Sequence, residues 1–194
     1  MFPHYIINRF TTALVSHFHN GFEYTQVLEG TETFLVAQSP KQIVENSFLS
    51  VGKTLDGAIE AARSLLNQKY KLPVVLSAQH HIALIRCPSI NKSGTIWLVH
   101  SHIHSIKSDP DDPSKTIIYT NHGHSLVVDM KSKAFQIKRS QATFLHSVVL
   151  KNSEMNKTLT FLYEKDQGIQ LIKETGQVNY TLKKKIDSVQ IDIE

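Results

Sequence analysis

The first third of the chain is rich in β-branched and aromatic residues, a pattern typical of antiparallel strands. It predicts strands over residues 11–18, 22–27 and 31–37. Asn20-Gly21 lies between the first two strands, and this dipeptide is a strong signal for a tight hairpin turn. We therefore expect the chain to begin with antiparallel strands joined by short turns.

Between residues 42 and 67 the apolar positions change to a helical period. The pattern predicts a short first helix or turn, followed by the principal helix of the fold at about residues 54–67. Thr54 is suited to cap this helix, and Asp56 in its first turn is favoured by the helix dipole.

After this helix the period of two returns. It predicts further strands over residues 74–76, 82–87, 95–107, 115–120 and 125–129, the last two joined by a turn at Asn121-His122-Gly123. Residues 132–150 fit neither period.

The character of the sequence changes again near residue 152. A hairpin is expected over residues 158–163 and 169–172, and residues 179–193 alternate apolar and polar positions. The sequence thus predicts an α+β fold, a strand-dominated antiparallel sheet with one principal helix. It predicts a main domain over residues 1–150 and a small β-rich C-terminal appendage over residues 151–194.

Composition narrows the class of protein. Apolar residues make up 41% and charged residues 20% of 194 residues, as in an ordinary globular protein. The chain has no uninterrupted apolar run of 18 or more residues, so no membrane span is predicted. Its first residues lack the pattern of a signal peptide. Cys87 is the single cysteine, so no intramolecular disulfide can form, and this favours a cytoplasmic protein. Beside an apolar strand, Cys87 is expected to be a small buried hydrophobic residue.

Positive charge is concentrated in the middle of the chain. Residues 40–107 carry eight basic and three acidic groups, so a polyanionic partner would be attracted there; a solvated basic surface is the alternative. Four cations lie on or just after the principal helix: Lys53, Arg63, Lys69 and Lys71. The segment shows no two-helix unit with a clear recognition helix, no zinc finger and no RNA-binding signature. From the residues alone, the chain is a candidate polyanion binder.

Histidines raise a different possibility. His100, His102 and His104 alternate along a predicted strand, which would place them on one face as a row of zinc ligands. Further ligands and a catalytic acid or base are missing, so a polar strand face is the favoured interpretation. His122 and His124 are expected to face solvent in a turn, and a metal could join both clusters only if they pair across strands.

Residues 47–54, SFLSVGKT, nearly match a phosphate-binding loop. Ser47 replaces the first glycine, and bulky residues fill positions where such a loop needs small ones. The alternating β–α pattern of nucleotide hydrolases is also missing. Nucleotide hydrolysis is therefore not predicted.

One collinear set of residues resembles a known family, the competence transcription factor ComK. The set comprises Pro40, Gln42-Ile43-Val44, Ser47, Gly52, Thr54, Gly57, Lys71-Leu72-Pro73, Trp97 and Ser101-His102-Ile103-His104. The resemblance covers residues 40–107, with a weaker similarity over residues 121–129.

The resemblance implies a non-enzymatic activator of competence and DNA-uptake genes that needs no cofactor. It implies binding to AT-rich boxes in double-stranded DNA through the minor groove, assembly as a homo-oligomer, and delivery to a Clp protease by an adaptor. Basic side chains matter more than a base-edge code in this mode of binding. The predicted DNA-binding residues combine the resemblance with the charge pattern: Lys53, Thr54, Gly57, Arg63, Lys69 and Lys71.

The sequence departs from the family pattern directly after Gly57. The family places Arg-Lys there, whereas this chain has Ala58-Ile59-Glu60. Losing two cations and gaining an anion should weaken phosphate contacts. Two alternatives therefore stay open: a regulatory interaction module that has lost autonomous DNA binding and acts through a related activator, and a small metalloenzyme with a histidine site.

Overall fold

The computed structural model describes residues 1–90, 94–155, 160–164 and 168–172, with side chains described up to residue 153. The chain divides into two compact units, Met1–Leu150 and Lys151–Glu194. Among the described residues, no helix is both long and apolar enough to cross a membrane.

A six-stranded antiparallel sheet forms the centre of the first unit. Its strands are β1 (Thr11–His19), β2 (Phe22–Glu29), β3 (Glu32–Val36), β4 (Val74–Ser77), β5 (Ile82–Pro88) and β6 (Thr95–Val99), in the spatial order β3-β2-β1-β6-β5-β4. Asn20 and Gly21 have φ values of 50° and 79°, which confirms the predicted hairpin turn between β1 and β2.

Two helices follow β3, and their ends explain much of the motif in this region. Helix α1 (Pro40–Ser50) begins with a capping box formed by Ser39 and Gln42, with Pro40 in its first turn. Val51 is its C-cap, and Gly52 follows with a φ of 69° that favours glycine. The N–H of Gly52 donates to Leu49 and that of Lys53 to Phe48, which satisfies the last carbonyls of the helix.

Helix α2 (Leu55–Leu66) confirms the helix predicted at about residues 54–67. Thr54 is its N-cap, and the Thr54 hydroxyl accepts the N–H of Gly57 at 3.1 Å. A Cβ at Gly57 would lie 3.0 Å from that hydroxyl oxygen, so glycine leaves room for the cap. The SFLSVGKT segment is thus a helix end followed by a helix cap.

A second antiparallel sheet contains β7 (Ile103–Ser108), β8 (Thr116–Thr120) and β9 (Ser125–Val128), in that order. The prediction of one continuous strand over residues 95–107 is wrong. The chain leaves the six-stranded sheet after β6, makes a turn of 3₁₀ helix at His100–His102 and continues in the second sheet. Because both strands keep a period of two, the sequence shows no sign of this change of sheet.

The longest helix is α3 (Ser132–Met155), in the stretch that the sequence did not assign. Its buried positions have helical spacing: Phe135, Lys138, Ala142, Leu145 and His146. A lysine and a histidine on the buried side obscure the apolar period, which is why the pattern could not reveal this helix.

The two faces of the six-stranded sheet are covered differently. Side chains of α1 and α2, including Phe48 and Leu55, pack with Trp97 on one face. On the other face, Phe135 of α3 packs with the second sheet and with strands β1, β5 and β6. The fold is therefore the predicted strand-dominated α+β class.

The second unit contains β10 (Thr160–Glu164) and β11 (Gly168–Ile172), which pair antiparallel with Thr160 opposite Ile172. The predicted alternation over residues 179–193 lies outside the described residues.

Candidate nucleic-acid interface

The predicted DNA-binding residues fall into two groups at opposite ends of α2. This helix has 12 residues and is about 18 Å long at 1.5 Å per residue. Lys53, Thr54 and Gly57 lie at its start, where they line an apolar groove of about 350 Å³. The Lys53 ammonium donates to the carbonyl of Leu76 at 3.3 Å. Thr54 and Gly57 have the structural role of a helix cap at this end.

The other group follows the end of α2. Asn67 ends the helix in the left-handed conformation, and Arg63 lies exposed in the last turn. Lys69 and Lys71 are also exposed, and Tyr70 between them is 82% exposed. The connector that carries these side chains is held to α3 by a 2.9 Å hydrogen bond between the side chains of Gln141 and Gln68. This end of α2 therefore presents cations and an aromatic ring to solvent.

Lys71 lines a cavity of about 400 Å³ together with two cations that the sequence analysis did not select, Arg86 and Lys138. The remaining lining residues are uncharged: Cys87, Pro88, Gly94 and Thr95. We call this cavity, defined by Lys71, Arg86 and Lys138, the basic pocket.

Two of the three cations of the basic pocket have contacts that hold their side chains, and the third has a constrained backbone. Lys71 has a φ of 54°, in the left-handed region that costs a residue with a side chain about 1–2 kcal/mol. The Arg86 guanidinium lies 5.8 Å from the ring centre of the buried Trp97. Lys138 is only 8% exposed, and its ammonium donates to the Arg86 carbonyl at 2.6 Å.

None of the described residues that line the basic pocket carries a carboxylate. Among the described residues, the ion pairs within 4.0 Å are Lys41–Glu45 and Lys115–Asp112, and neither involves a residue of the pocket. Burial, with repulsion from Lys71 and Arg86, lowers the pKa of Lys138, although Cys87 acts in the opposite direction. The pocket thus concentrates positive charge that no described acid neutralises.

The sequence contained a weak signal for Arg86, one of the two cations that the sequence analysis missed. Arg86 is an exposed, charged position inside the otherwise apolar run of β5. Lys138 had no such signal, because the helix that carries it was not predicted. Only the packing of α3 against β5 brings these two side chains to Lys71.

Helix α2 itself is a poor candidate for a recognition helix. The structure contains two consecutive helices, α1 and α2, joined by a short turn, as the apolar period predicts. However, Asp56 and Glu60 are exposed on α2 and would repel phosphates. The cations after the helix are better placed for a polyanion than the helix surface.

The tip of the β1–β2 hairpin reaches beyond the sheet near the basic pocket. The backbone N–H of Thr95, a lining residue of the pocket, donates to the Ser16 hydroxyl at 2.8 Å, and that hydroxyl donates to Glu23 at 2.7 Å. Past this point the hairpin carries Phe18 and Phe22, which are 44% and 67% exposed. Two exposed aromatic side chains therefore lie at the same end of the sheet as the pocket.

The predicted row of three histidines is wrong, because the chain bends at His100–His102 instead of continuing as a strand. His104 is exposed, whereas the centre of the His100 ring lies 5.2 Å from that of His146, with the two rings tilted by 44°. His102 Nδ1 and His122 Nε2 share a 3.2 Å hydrogen bond. His102 Nε2 also lies 3.0 Å from the carbonyl oxygen of Arg9.

His122 and His124 are half-buried, which corrects the expectation that they face solvent. His124 contacts the Gly30 carbonyl at 2.8 Å. His102 and His122 do bring the two predicted clusters together. Across the part of the chain that the structure describes, however, no three His, Cys, Asp or Glu side chains form a group that could hold a metal ion.

His100 should make stability depend on pH. Burial, reinforced by the charges of His146, Arg139 and His81, lowers the pKa of His100 from 6.5 to about 4. Between these values the unfolded chain binds a proton that the folded chain resists, so the free energy of unfolding should fall as pH drops from about 6.5 to about 4. Urea unfolding at several pH values in this range measures the effect. His100→Gln should reduce the fall in the free energy of unfolding, whereas His104→Gln should leave it unchanged. An equal fall in both variants would contradict a role of His100 in the pH dependence.

Cys87 matches the expectation of a buried hydrophobic residue. It is 1% exposed, and burial raises the pKa of its thiol to about 12. The thiol is therefore protonated at neutral pH and is a poor nucleophile.

An antiparallel α+β domain that gathers unpaired cations at one end defines a candidate polyanion-binding protein. A family model described as "ComK protein" matches residues 2–154. The chain therefore belongs to the ComK family, a family of competence transcription factors and not of enzymes. No curated protein and no solved structure gave a significant match to the chain.

Proposed function

We propose that this protein binds AT-rich double-stranded DNA through the minor groove, as a homo-oligomer, and activates competence and DNA-uptake genes. The observation that carries the proposal is the gathering of exposed Lys69 and Lys71 beside Arg86 and Lys138, in a chain of the ComK family. Cations held without acid partners release counterions from DNA when they contact phosphates, and this gives affinity without base readout.

The hairpin tip supports the minor-groove part of the proposal. Minor-groove proteins often place apolar side chains between base steps of deformable DNA, and such bending is easiest in sequences with flexible steps. Phe18 and Phe22 are exposed at the end of the sheet that also holds the basic pocket.

A titration of duplex DNA at several salt concentrations tests the proposal. We expect tighter binding to an AT-rich duplex than to a GC-rich duplex of equal length, and a steep loss of affinity from 0.05 to 0.2 M salt. The slope of log affinity against log salt should reach about −0.9 for each phosphate contacted. Equal affinity for both duplexes, or affinity that does not change with salt, would contradict direct recognition of AT-rich DNA.

A second candidate function is a regulatory interaction module that acts through a related activator. Asp56 and Glu60, exposed on α2, are the observation that favours it, because these anions flank the two positions after Gly57 where the family has cations. In this case the purified protein should bind neither duplex, and should instead change the DNA affinity of the related activator when the two are mixed.

A further inference from the structure

We propose that the basic pocket is a phosphate-binding site that receives one phosphate group of the DNA backbone. This inference rests on the proposed function for the source of the phosphate, but the pocket's preference for a phosphate group can be tested without DNA. Three cations from three separate elements meet there: Lys71 before β4, Arg86 on β5 and Lys138 on α3.

The first argument is the position of Lys138. A lysine that is 8% exposed in an otherwise apolar helix stripe lowers stability unless its charge is compensated. The Lys138 ammonium has three N–H donors, and one of them donates to the Arg86 carbonyl at 2.6 Å. The side chain lines the open cavity, so the remaining donors are available to a ligand there.

The second argument is the charge balance. Three cations line the pocket, and none of its described lining residues is acidic. Two carboxylates lie next to it without lining it: Asp129, whose backbone N–H donates to the Pro88 carbonyl at 3.1 Å, and Glu23, which accepts from the Ser16 hydroxyl that binds Thr95. An anion in the pocket would relieve the mutual repulsion of the three cations.

The third argument is geometry. Lys71 keeps a left-handed backbone conformation that glycine or asparagine would adopt at lower cost. Arg86 lies over the Trp97 ring, so its guanidinium is oriented before any ligand arrives. A planar guanidinium with two ammonium groups is well suited to the several oxygens of one phosphate group.

Trp97 allows the pocket to be observed directly. It is the only tryptophan of the chain, and Arg86 lies against its ring. The full-length protein is titrated with inorganic phosphate at constant ionic strength, with chloride as compensating anion, while Trp97 emission is recorded. The same proteins are then titrated with an AT-rich duplex at several salt concentrations.

Two variants remove one pocket cation each, Lys71→Asn and Lys138→Met. Asparagine tolerates the left-handed backbone, so Lys71→Asn should keep the fold and is the deciding variant if Lys138→Met fails to fold, as judged by urea unfolding. Lys133→Met is the matched control, because Lys133 is an exposed lysine on the same helix and does not line the pocket.

We expect phosphate to change Trp97 emission with saturation in the wild type and in Lys133→Met, and not in the two pocket variants. Each pocket variant should bind the duplex more weakly, by up to about eightfold at 0.1 M salt, with a salt slope shallower by up to about 0.9, because the whole pocket holds one phosphate. If the pocket variants lose duplex affinity but inorganic phosphate does not change Trp97 emission in the wild type, the pocket binds a phosphate of the DNA backbone and not free phosphate.

Other results would overturn the proposal or separate it from the proposed function. Pocket variants that match Lys133→Met in duplex affinity and salt slope would exclude DNA phosphate from the pocket, even if the wild type binds AT-rich DNA. A Trp97 response that persists in both pocket variants would place the anion elsewhere. A wild type that binds phosphate in the pocket but no duplex would refute the proposed function and leave a site for free phosphate.

Discussion

Replacing both Lys69 and Lys71 by glutamate is expected to weaken binding to an AT-rich duplex by about 60-fold or more at 0.1 M salt. Each lysine that contacts a phosphate multiplies affinity by about eight at this salt concentration, relative to 1 M. Two such contacts are lost in Lys69→Glu/Lys71→Glu, and the new carboxylates add repulsion. Electrophoretic or fluorescence titration at several salt concentrations should show a slope that is shallower by about 2.

A second double variant with the same change of net charge provides the control. Lys107 and Lys131 are exposed and do not line the basic pocket, so Lys107→Glu/Lys131→Glu should weaken binding much less. Equal losses in both double variants would mean that net charge alone matters, and would move the contact surface away from the connector after α2. Lys69→Glu/Lys71→Glu should unfold at the same urea concentration as the wild type, because these side chains are exposed. The control variant should lose at most about 1 kcal/mol, because Lys107 also lies 5.7 Å from the Tyr119 ring centre.

Phe135→Ala is expected to lower the free energy of unfolding by about 3–5 kcal/mol. Phe135 is fully buried between α3, the second sheet and the six-stranded sheet. Removing its ring leaves a cavity lined by three separate elements. Because all three would have to move to fill it, the surrounding structure should relax only slightly.

Phe144→Ala is the matched control for this prediction, because Phe144 lies on the same helix and is 52% exposed. Its loss should change stability by no more than about 0.5 kcal/mol. Urea unfolding followed by circular dichroism measures both variants. Similar losses of stability in the two would contradict the packing of α3 described above.

The family motif and the candidate interface are largely different residues. Gly52 adopts the left-handed conformation after the C-cap of α1, Thr54 caps α2 and Gly57 leaves room for that cap, while Trp97 belongs to the core. These residues identify the family because they build its fold. Of the motif residues, Lys71 is the one that also lines the basic pocket.

The departure at Glu60 has a clearer meaning in the structure. Glu60 is exposed on α2, whereas Lys71, Arg86 and Lys138 meet beyond the end of that helix. Losing cations on α2 therefore does not remove the cations of the pocket. A protein with a repulsive helix and an intact pocket would bind DNA in an orientation that keeps α2 away from the phosphates.

The sequence by itself determined the elements whose signals are local. The β1–β2 hairpin follows from Asn20-Gly21 and alternating side chains, and helix α2 follows from an apolar period that begins at a threonine cap. The fold class follows from the same patterns, because a period of two or of 3.6 reflects the geometry of one segment and its own neighbours.

The tertiary structure alone decided where the chain changes sheets and where its charges meet. The bend at His100–His102 depends on bonds to distant residues, such as that of Ser101 to the His81 carbonyl at 2.9 Å. Helix α3 buries Lys138 and His146, so its period is hidden until its partners are in place. Lys71, Arg86 and Lys138 are far apart along the chain, and electrostatic interaction depends on distance in space, so only the packed fold makes them one pocket.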